Sequence, residues 1–157
     1  MVAITLPDGS VRKYERPVSG GDVAADIGPG LAKAALAARV NGELWDLNRE
    51  IDGDTLVAIV TRTDDTALEL LRHDAAHIMA EAVKELYPNT QITIGPVIED
   101  GFYYDFSREE PLTPDDLEMI EERMREIVAR DEPITREVWD RDEAIEFFRE
   151  QGELYKA

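Results

Sequence analysis

There is no cysteine in this sequence, so neither a disulfide framework nor a thiolate metal site can be built from it. It has only two histidines, His73 and His77, which leaves a zinc site at least one ligand short unless acids or a second chain complete it. No apolar run is long enough to cross a membrane, and no basic segment followed by an apolar one opens the chain as a secretory signal would. These absences point to the cytoplasm. Positive charge is scarce too: 17 Lys and Arg face 35 Asp and Glu, for a formal net charge of −18. The excess is uneven, with 7 basic and 9 acidic side chains in residues 1–62 and 10 and 26 in residues 63–157. Such a surface repels phosphate backbones and argues against a free-standing general nucleic-acid binder. The phosphate-loop pattern Gly-x-x-x-x-Gly-Lys-Ser/Thr is missing, and Gly28-Pro29-Gly30 reads as a turn after a helix.

What is present divides in two. At 157 residues with 43% hydrophobic content, the chain can hold one ordinary domain or two small ones. Residues 1–62 are strand-rich. Ile4-Thr5-Leu6 and Val11-Arg12-Lys13-Tyr14 flank Pro7-Asp8-Gly9-Ser10, a tight turn, and predict a hairpin. Ser19 predicts a cap for a short helix through Ile27, with another helical turn at Leu31–Lys33. Asn41-Gly42 joins Leu36–Val40 to Leu44-Trp45 as a second hairpin, and Asp52-Gly53-Asp54 turns into a β-branched strand, Thr55–Val60, expected centrally. Hairpin, helix, hairpin, final strand is the order of a ubiquitin-like β-grasp fold.

From residue 63 the periodicity becomes helical. Leu68, Leu71, Ala75, Ile78, Ala82 and Leu86 recur at spacings of three and four, Thr66-Ala67-Leu68-Glu69 has a capping-box pattern, and Pro88 ends the helix. His73 and His77 lie one turn apart on the side opposite that stripe, next to Ala76, Ala80 and Lys84. Such a pair is most often merely solvated. A zinc pair is geometrically open to it but short of ligands, and Asp74 stands where His-Glu-x-x-His needs glutamate. Thr90–Ile94 and Gly101–Phe106 predict strands, the second placing Phe102, Tyr104 and Phe106 on one face and Tyr103 on the other. Tyr104 carries a hydroxyl that needs a partner, so it fits either core or a polar pocket. Thr113-Pro114-Asp115-Asp116 starts a helix with a stripe of Leu117, Ile120, Met124, Ile127 and Val128. Ile134–Trp139 predicts a short strand, Asp140 caps a last helix ended by Gly152, and Leu154-Tyr155-Lys156 predicts another strand. That last strand has no following partner, so the second unit is expected to be incomplete. The fold class is α+β throughout.

Five stretches resemble, in the same order, the N-terminal region of bacterial threonyl-tRNA synthetase. They are Ile4–Ser10, Val40–Leu44, Arg72–His77, Ile94–Ile98 and Gly101–Asp105. The resemblance implies that residues 1–62 are a TGS domain and residues 63–157 the first part of an editing domain, which hydrolyses serine wrongly attached to threonine's tRNA. It implies that His73 and His77 hold or activate water and orient the terminal ribose, that Lys156 contacts the substrate side, and that Tyr104 lines the pocket. ATP, magnesium and zinc would belong to a catalytic part absent from this sequence, so no cofactor is expected here. The implied partner is tRNA(Thr), in a homodimer formed through that absent part; this chain alone is expected to be monomeric. A downstream Cys-x-x-x-His that completes the family's site is not in the sequence, so weak or no editing is expected of this chain by itself. The residue after the first histidine is more often serine in that family, and here it is Asp74. Two other readings compete: a free-standing TGS-type module binding a nucleotide or protein partner, and a metal-binding protein using the histidine pair.

Overall fold

The computed structural model describes residues 1–157, which divide into two compact units, Met1–Leu70 and Leu71–Ala157. In the first unit, β1 (Val2–Thr5) pairs antiparallel with β2 (Val11–Tyr14) through a turn in which Gly9 takes a φ of +82°. After β3 (Val18–Ser19) come α1 (Gly20–Ile27) and α2 (Pro29–Ala34). The chain then makes β4 (Ala35–Val40), β5 (Glu43–Trp45), β6 (Glu50–Ile51) and β7 (Thr55–Thr61). The sheet order is β2-β1-β7-β4-β5, so β7 is central, as its β-branched run predicts, and it runs parallel to β1. Asn41 and Gly42 have φ of 49° and 93°, the paired positive values that a two-residue hairpin matching sheet twist requires. Ser19 and Asp22 form a reciprocal capping box at α1. The core is Val2, Ile4, Leu6, Val18, Val23, Ala38, Val40, Ile51 and Val57, with Tyr14, Trp45 and Ile59 packed against it. The β3–β6 ladder was not read from the sequence: two-residue strands carry no periodicity.

Helix α3 (Ala67–Leu86), which enters the second unit at Leu71, is followed by β8 (Gln91–Ile92), β9 (Val97–Ile98), β10 (Gly101–Phe102) and β11 (Phe106–Ser107). Helices α4 (Pro114–Arg130) and α5 (Arg141–Glu150) complete it. Thr66 accepts the first helical bond of α3, from Leu70 N, so the helix starts where the sequence places its cap. The buried side of α3 differs from the expected stripe. Leu68 and Leu71 are exposed, whereas Ala76, Ala80, Ala82 and Val83 are buried. The side assigned to solvent thus carries buried small residues, Ala76 and Ala80. The core joins Ala82 and Val83 to Ile120 and Ile127 of α4, with Ile78, Met79, Leu86, Tyr87, Phe106, Leu112 and Met124 around them. On α4 the expected stripe narrows likewise: Leu117 and Val128 are exposed. Thr113 caps α4 with Pro114 in the first turn, as predicted, and the Asp116 side chain bonds back to Thr113 to complete a capping box.

Of the two predicted strands, Thr90–Ile94 shortens to β8 and Gly101–Phe106 splits into β10 and β11. β8 pairs with β11 (Ile92 opposite Phe106) and β9 with β10 (Val97 opposite Phe102), so the register slips by one residue between them. Residues 134–139 form no strand, and Ile134 and Val138 are exposed: apolar propensity is not sufficient without a neighbouring strand to take the backbone bonds. Trp139 packs its ring edge-on against Phe147 of α5. Leu154–Lys156 also form a turn instead of a strand, closed by bonds from Lys156 N and Ala157 N to Glu153 O. Asp140 does cap α5, and Gly152 follows its end with φ +74°. No helix is long and apolar enough to cross a membrane.

Candidate functional site

Three segments of the second unit build one cavity of about 410 Å³, lined by His77, Ala80, Glu81, Lys84, Glu85, Ile92, Tyr104, Glu153 and Lys156. Helix α3 supplies the first wall, since residues 77, 80, 81 and 84 recur at helical spacing on one side. Ala80 leaves that wall shallow. Arg72, one residue before the histidine pair, donates to Glu99 O at 2.7 Å and so ties the start of this stretch to the end of β9.

Tyr104 forms the second wall. It sits between β10 and β11, where the register slips, and its ring stacks on Phe106 at 4.9 Å with 12° between planes. That confirms the shared face read from the alternation, while Tyr103 is exposed. Gly95 makes the placement feasible: a Cβ there would lie 2.7 Å from Tyr104 Cγ and closer still to two other ring atoms. Burial raises the Tyr104 pKa above its ordinary value, so the phenol stays protonated at neutral pH and can donate.

The turn after α5 closes the third side. Lys84 Nζ pairs with Glu153 Oε1 at 2.5 Å and donates to Thr90 O at 3.0 Å. Leu154 N donates to the Gln91 side chain at 3.0 Å, and Lys156 Nζ lies 5.6 Å from the centre of the Phe148 ring. Glu153 was not singled out from the sequence. Taken alone it is one acid among many, and its burial comes from a contact to a distant part of the chain.

Of the four residues singled out, His77, Tyr104 and Lys156 line this cavity, and His73 stands behind His77. The two imidazoles meet Nε2 to Nε2 at 2.9 Å, with ring centres 4.6 Å apart and planes at 65°. One ring therefore donates through Nε2 and the other accepts there, which fixes opposite tautomers. Both rings are exposed, and Asp74 is exposed as well, making no hydrogen bond to either. Such a pair can pass a proton between solvent and a group bound in the cavity. It does not fit a zinc ion: the two nitrogens face each other, and no group of three or more His, Cys, Asp or Glu side chains is arranged to hold a metal. A larger cleft of about 800 Å³, between Leu86–Gln91 and Ser107–Glu110, holds none of the predicted side chains.

Comparison with known proteins matches the TGS domain family to residues 2–61, the stretch that carries the five-stranded sheet and both short helices. Residues 2–61 are a TGS domain. The TGS domain and the residues that follow it together align with proteins named threonine–tRNA ligase. That of Rhodospirillum rubrum is 68% identical over 157 residues, covering 100% of this chain and 24% of the relative. That of Granulibacter bethesdensis is 64% identical over the same shares. That of Thiobacillus denitrificans is 65% identical over 156 residues, 99% of this chain and 24% of its own. The chain thus spans about a quarter of the length of the curated relatives it matches, and the match falls in their N-terminal region. The α+β architecture with a β-grasp domain agrees with the expectation from the sequence.

Proposed function

We propose that this chain serves in a threonine–tRNA ligase, with residues 1–62 as its TGS domain and residues 63–157 as part of a hydrolytic editing domain. The observation that carries the reading is the convergence of His77, Tyr104 and Lys156 on one cavity, with His73 hydrogen-bonded to His77. The identity to ligases over the whole chain supports the choice of substrate. Threonine and serine differ by one methyl, which a single pocket discriminates by only about 1–3 kcal/mol, so a second site that hydrolyses the smaller ester raises fidelity. In that role the histidine pair takes a proton from the attacking water, and the Lys156 ammonium faces the ester end of the mischarged tRNA. The tRNA(Thr) partner, cytoplasmic location and homodimer belong to the same proposal. ATP, magnesium and zinc are assigned to a part of the ligase outside these residues.

The test is hydrolysis of seryl-tRNA(Thr), with threonyl-tRNA(Thr) as control. It compares this chain, a version extended through the next Cys-x-x-x-His, and the extended version carrying His73→Ala or His77→Ala. The extended chain is expected to cleave the serine ester and each histidine variant to lose most of the rate. An extended chain whose rate ignores both substitutions overturns the assignment of the chemistry to this pair.

A further inference from the structure

The Glu153 side chain has one job too few. It is about nine-tenths buried, and its Oε1 pairs with Lys84. Its Oε2 is buried and has no hydrogen-bond partner. Buried carboxylate oxygens are nearly always satisfied, and pinning the 151–157 turn to α3 requires only the Oε1 pair. The free oxygen belongs to a side chain that lines the cavity of His77, Tyr104 and Lys156.

The surroundings select what it accepts. The lining carries three carboxylates, Glu81, Glu85 and Glu153, against two ammonium groups, Lys84 and Lys156. Lys84 is already neutralised by Glu153 and the Thr90 carbonyl, while Glu81 and Glu85 are engaged by Arg130. An anion beside Oε2 would meet a like charge. A neutral hydroxyl would satisfy it weakly. A primary ammonium gives the stronger, charge-assisted bond and fits the sign of the site. We infer that Glu153 Oε2 is the acceptor for the α-ammonium of an aminoacyl ester bound in this cavity, which makes Glu153 a substrate-binding residue. The inference rests on the editing reading and adds to it the group that recognises the amino acid as an amino acid. Serine and threonine share that group, so Glu153 binds both, and discrimination between them lies elsewhere.

The probe is a pair of non-hydrolysable ligands: serine joined by an amide to 3′-amino-3′-deoxyadenosine, and the same compound without the α-amino group. Each is titrated by calorimetry into the version extended through the next Cys-x-x-x-His, near pH 6, where the amine is charged. The amine compound is expected to bind about tenfold or more tightly than its counterpart. In Glu153→Gln that advantage should vanish while binding of the counterpart stays. If the Gln variant fails to fold, the carboxyl carbon signal of Glu153 in the native chain decides: it should move with the amine compound and not with the other. Equal affinity for both ligands, with His77→Ala weakening both, overturns the role of Glu153 and leaves the editing reading standing, water then filling Oε2. An advantage that survives Glu153→Gln also overturns it. Binding of neither compound overturns both readings.

Discussion

Gly95→Ala is the substitution whose consequence follows most directly from the geometry. The Gly95 backbone is outside the positive-φ region, so an alanine meets no conformational penalty there, and the cost is purely steric. Its Cβ would overlap the ring of Tyr104, which cannot yield by a few tenths of an ångström because Phe106 is stacked on it at 4.9 Å. Either the strands around the register slip separate or the ring leaves the cavity and gives up the stack. Overpacking of this kind costs about 1–3 kcal/mol, and an aromatic pair alone is worth about 0.5–1.5 kcal/mol, so both routes fall in one range. Because the two compact units need not unfold together, a whole-chain melting curve is the wrong assay. Amide exchange at Thr93 and Asp105, whose N–H groups bond across the slip to Asp105 O and Ile94 O, reads the local opening. About 1–3 kcal/mol corresponds to roughly 5- to 150-fold lost protection. The decisive control is Tyr104→Ala: once the ring is gone, Gly95→Ala should be nearly silent, so the two effects are strongly non-additive. Equal losses of protection on both backgrounds would refute the steric argument and the seat it gives to Tyr104.

Other outcomes follow from local features. Gly42→Ala forces a side chain onto a φ of 93° and should cost the first unit about 1–2 kcal/mol, read by urea unfolding through Trp45 fluorescence in a Trp139→Phe background. Asp116 accepts from Tyr87 and from Thr113, which lowers its carboxyl pKa from 3.8 to about 2. The folded state thus holds this group ionised where the unfolded chain would protonate it. Its stabilising effect is complete above about pH 4 and lost as pH falls toward 2. Asp116→Asn should flatten that acid limb of an α4 stability profile. Arg130 grips Glu85 through both terminal nitrogens, at 2.6 and 2.8 Å, across the α3–α4 seam. Both side chains are about a third exposed, so solvent screens the pair and Arg130→Ala should lower stability only slightly, and less again at high salt.

The legible parts of the fold were those written by neighbouring residues. The Asn41-Gly42 hairpin and the Ser19, Thr113 and Asp140 caps are local geometry encoded in side chains a few positions apart, and each stands where the sequence puts it. The misread segments all depend on partners distant in sequence. Ile134–Trp139 and Leu154–Lys156 have the composition of strands, but a strand is a relation between two segments, and composition describes only one. The α3 face was misread for another reason: hydrophobic periodicity weights Leu68 and Leu71 heavily and Ala76 and Ala80 lightly, whereas close packing selects for small size. At the site, the histidine pair was visible as a spacing and Tyr104 as an aromatic whose hydroxyl fits either core or a polar pocket, while Lys156 was reachable only through family resemblance. Glu153 was invisible, because what marks it is an unpaired buried oxygen, a property of the folded chain.

The alanine face bears on function as well as packing. Ala80 lies on the cavity wall, one turn on from Ala76 and between His77 and Lys84 along the helix. A leucine at position 80 would strengthen the apolar pattern that helix periodicity rewards and would fill the space into which His77 and Lys84 project. The same economy of volume holds on the opposite wall, where Gly95 has no Cβ so that the Tyr104 ring can lie against the backbone. The third wall is held by a charged pair in which one carboxylate oxygen anchors and the other is buried without a partner. Each wall thus departs from what stability alone would favour: a small residue for a large one, glycine for a residue with better strand propensity, a buried carboxylate for an apolar side chain. Departures of that kind in three segments far apart in sequence, all bordering one space, are hard to account for by folding requirements acting on each segment separately. Their common factor is the cavity itself.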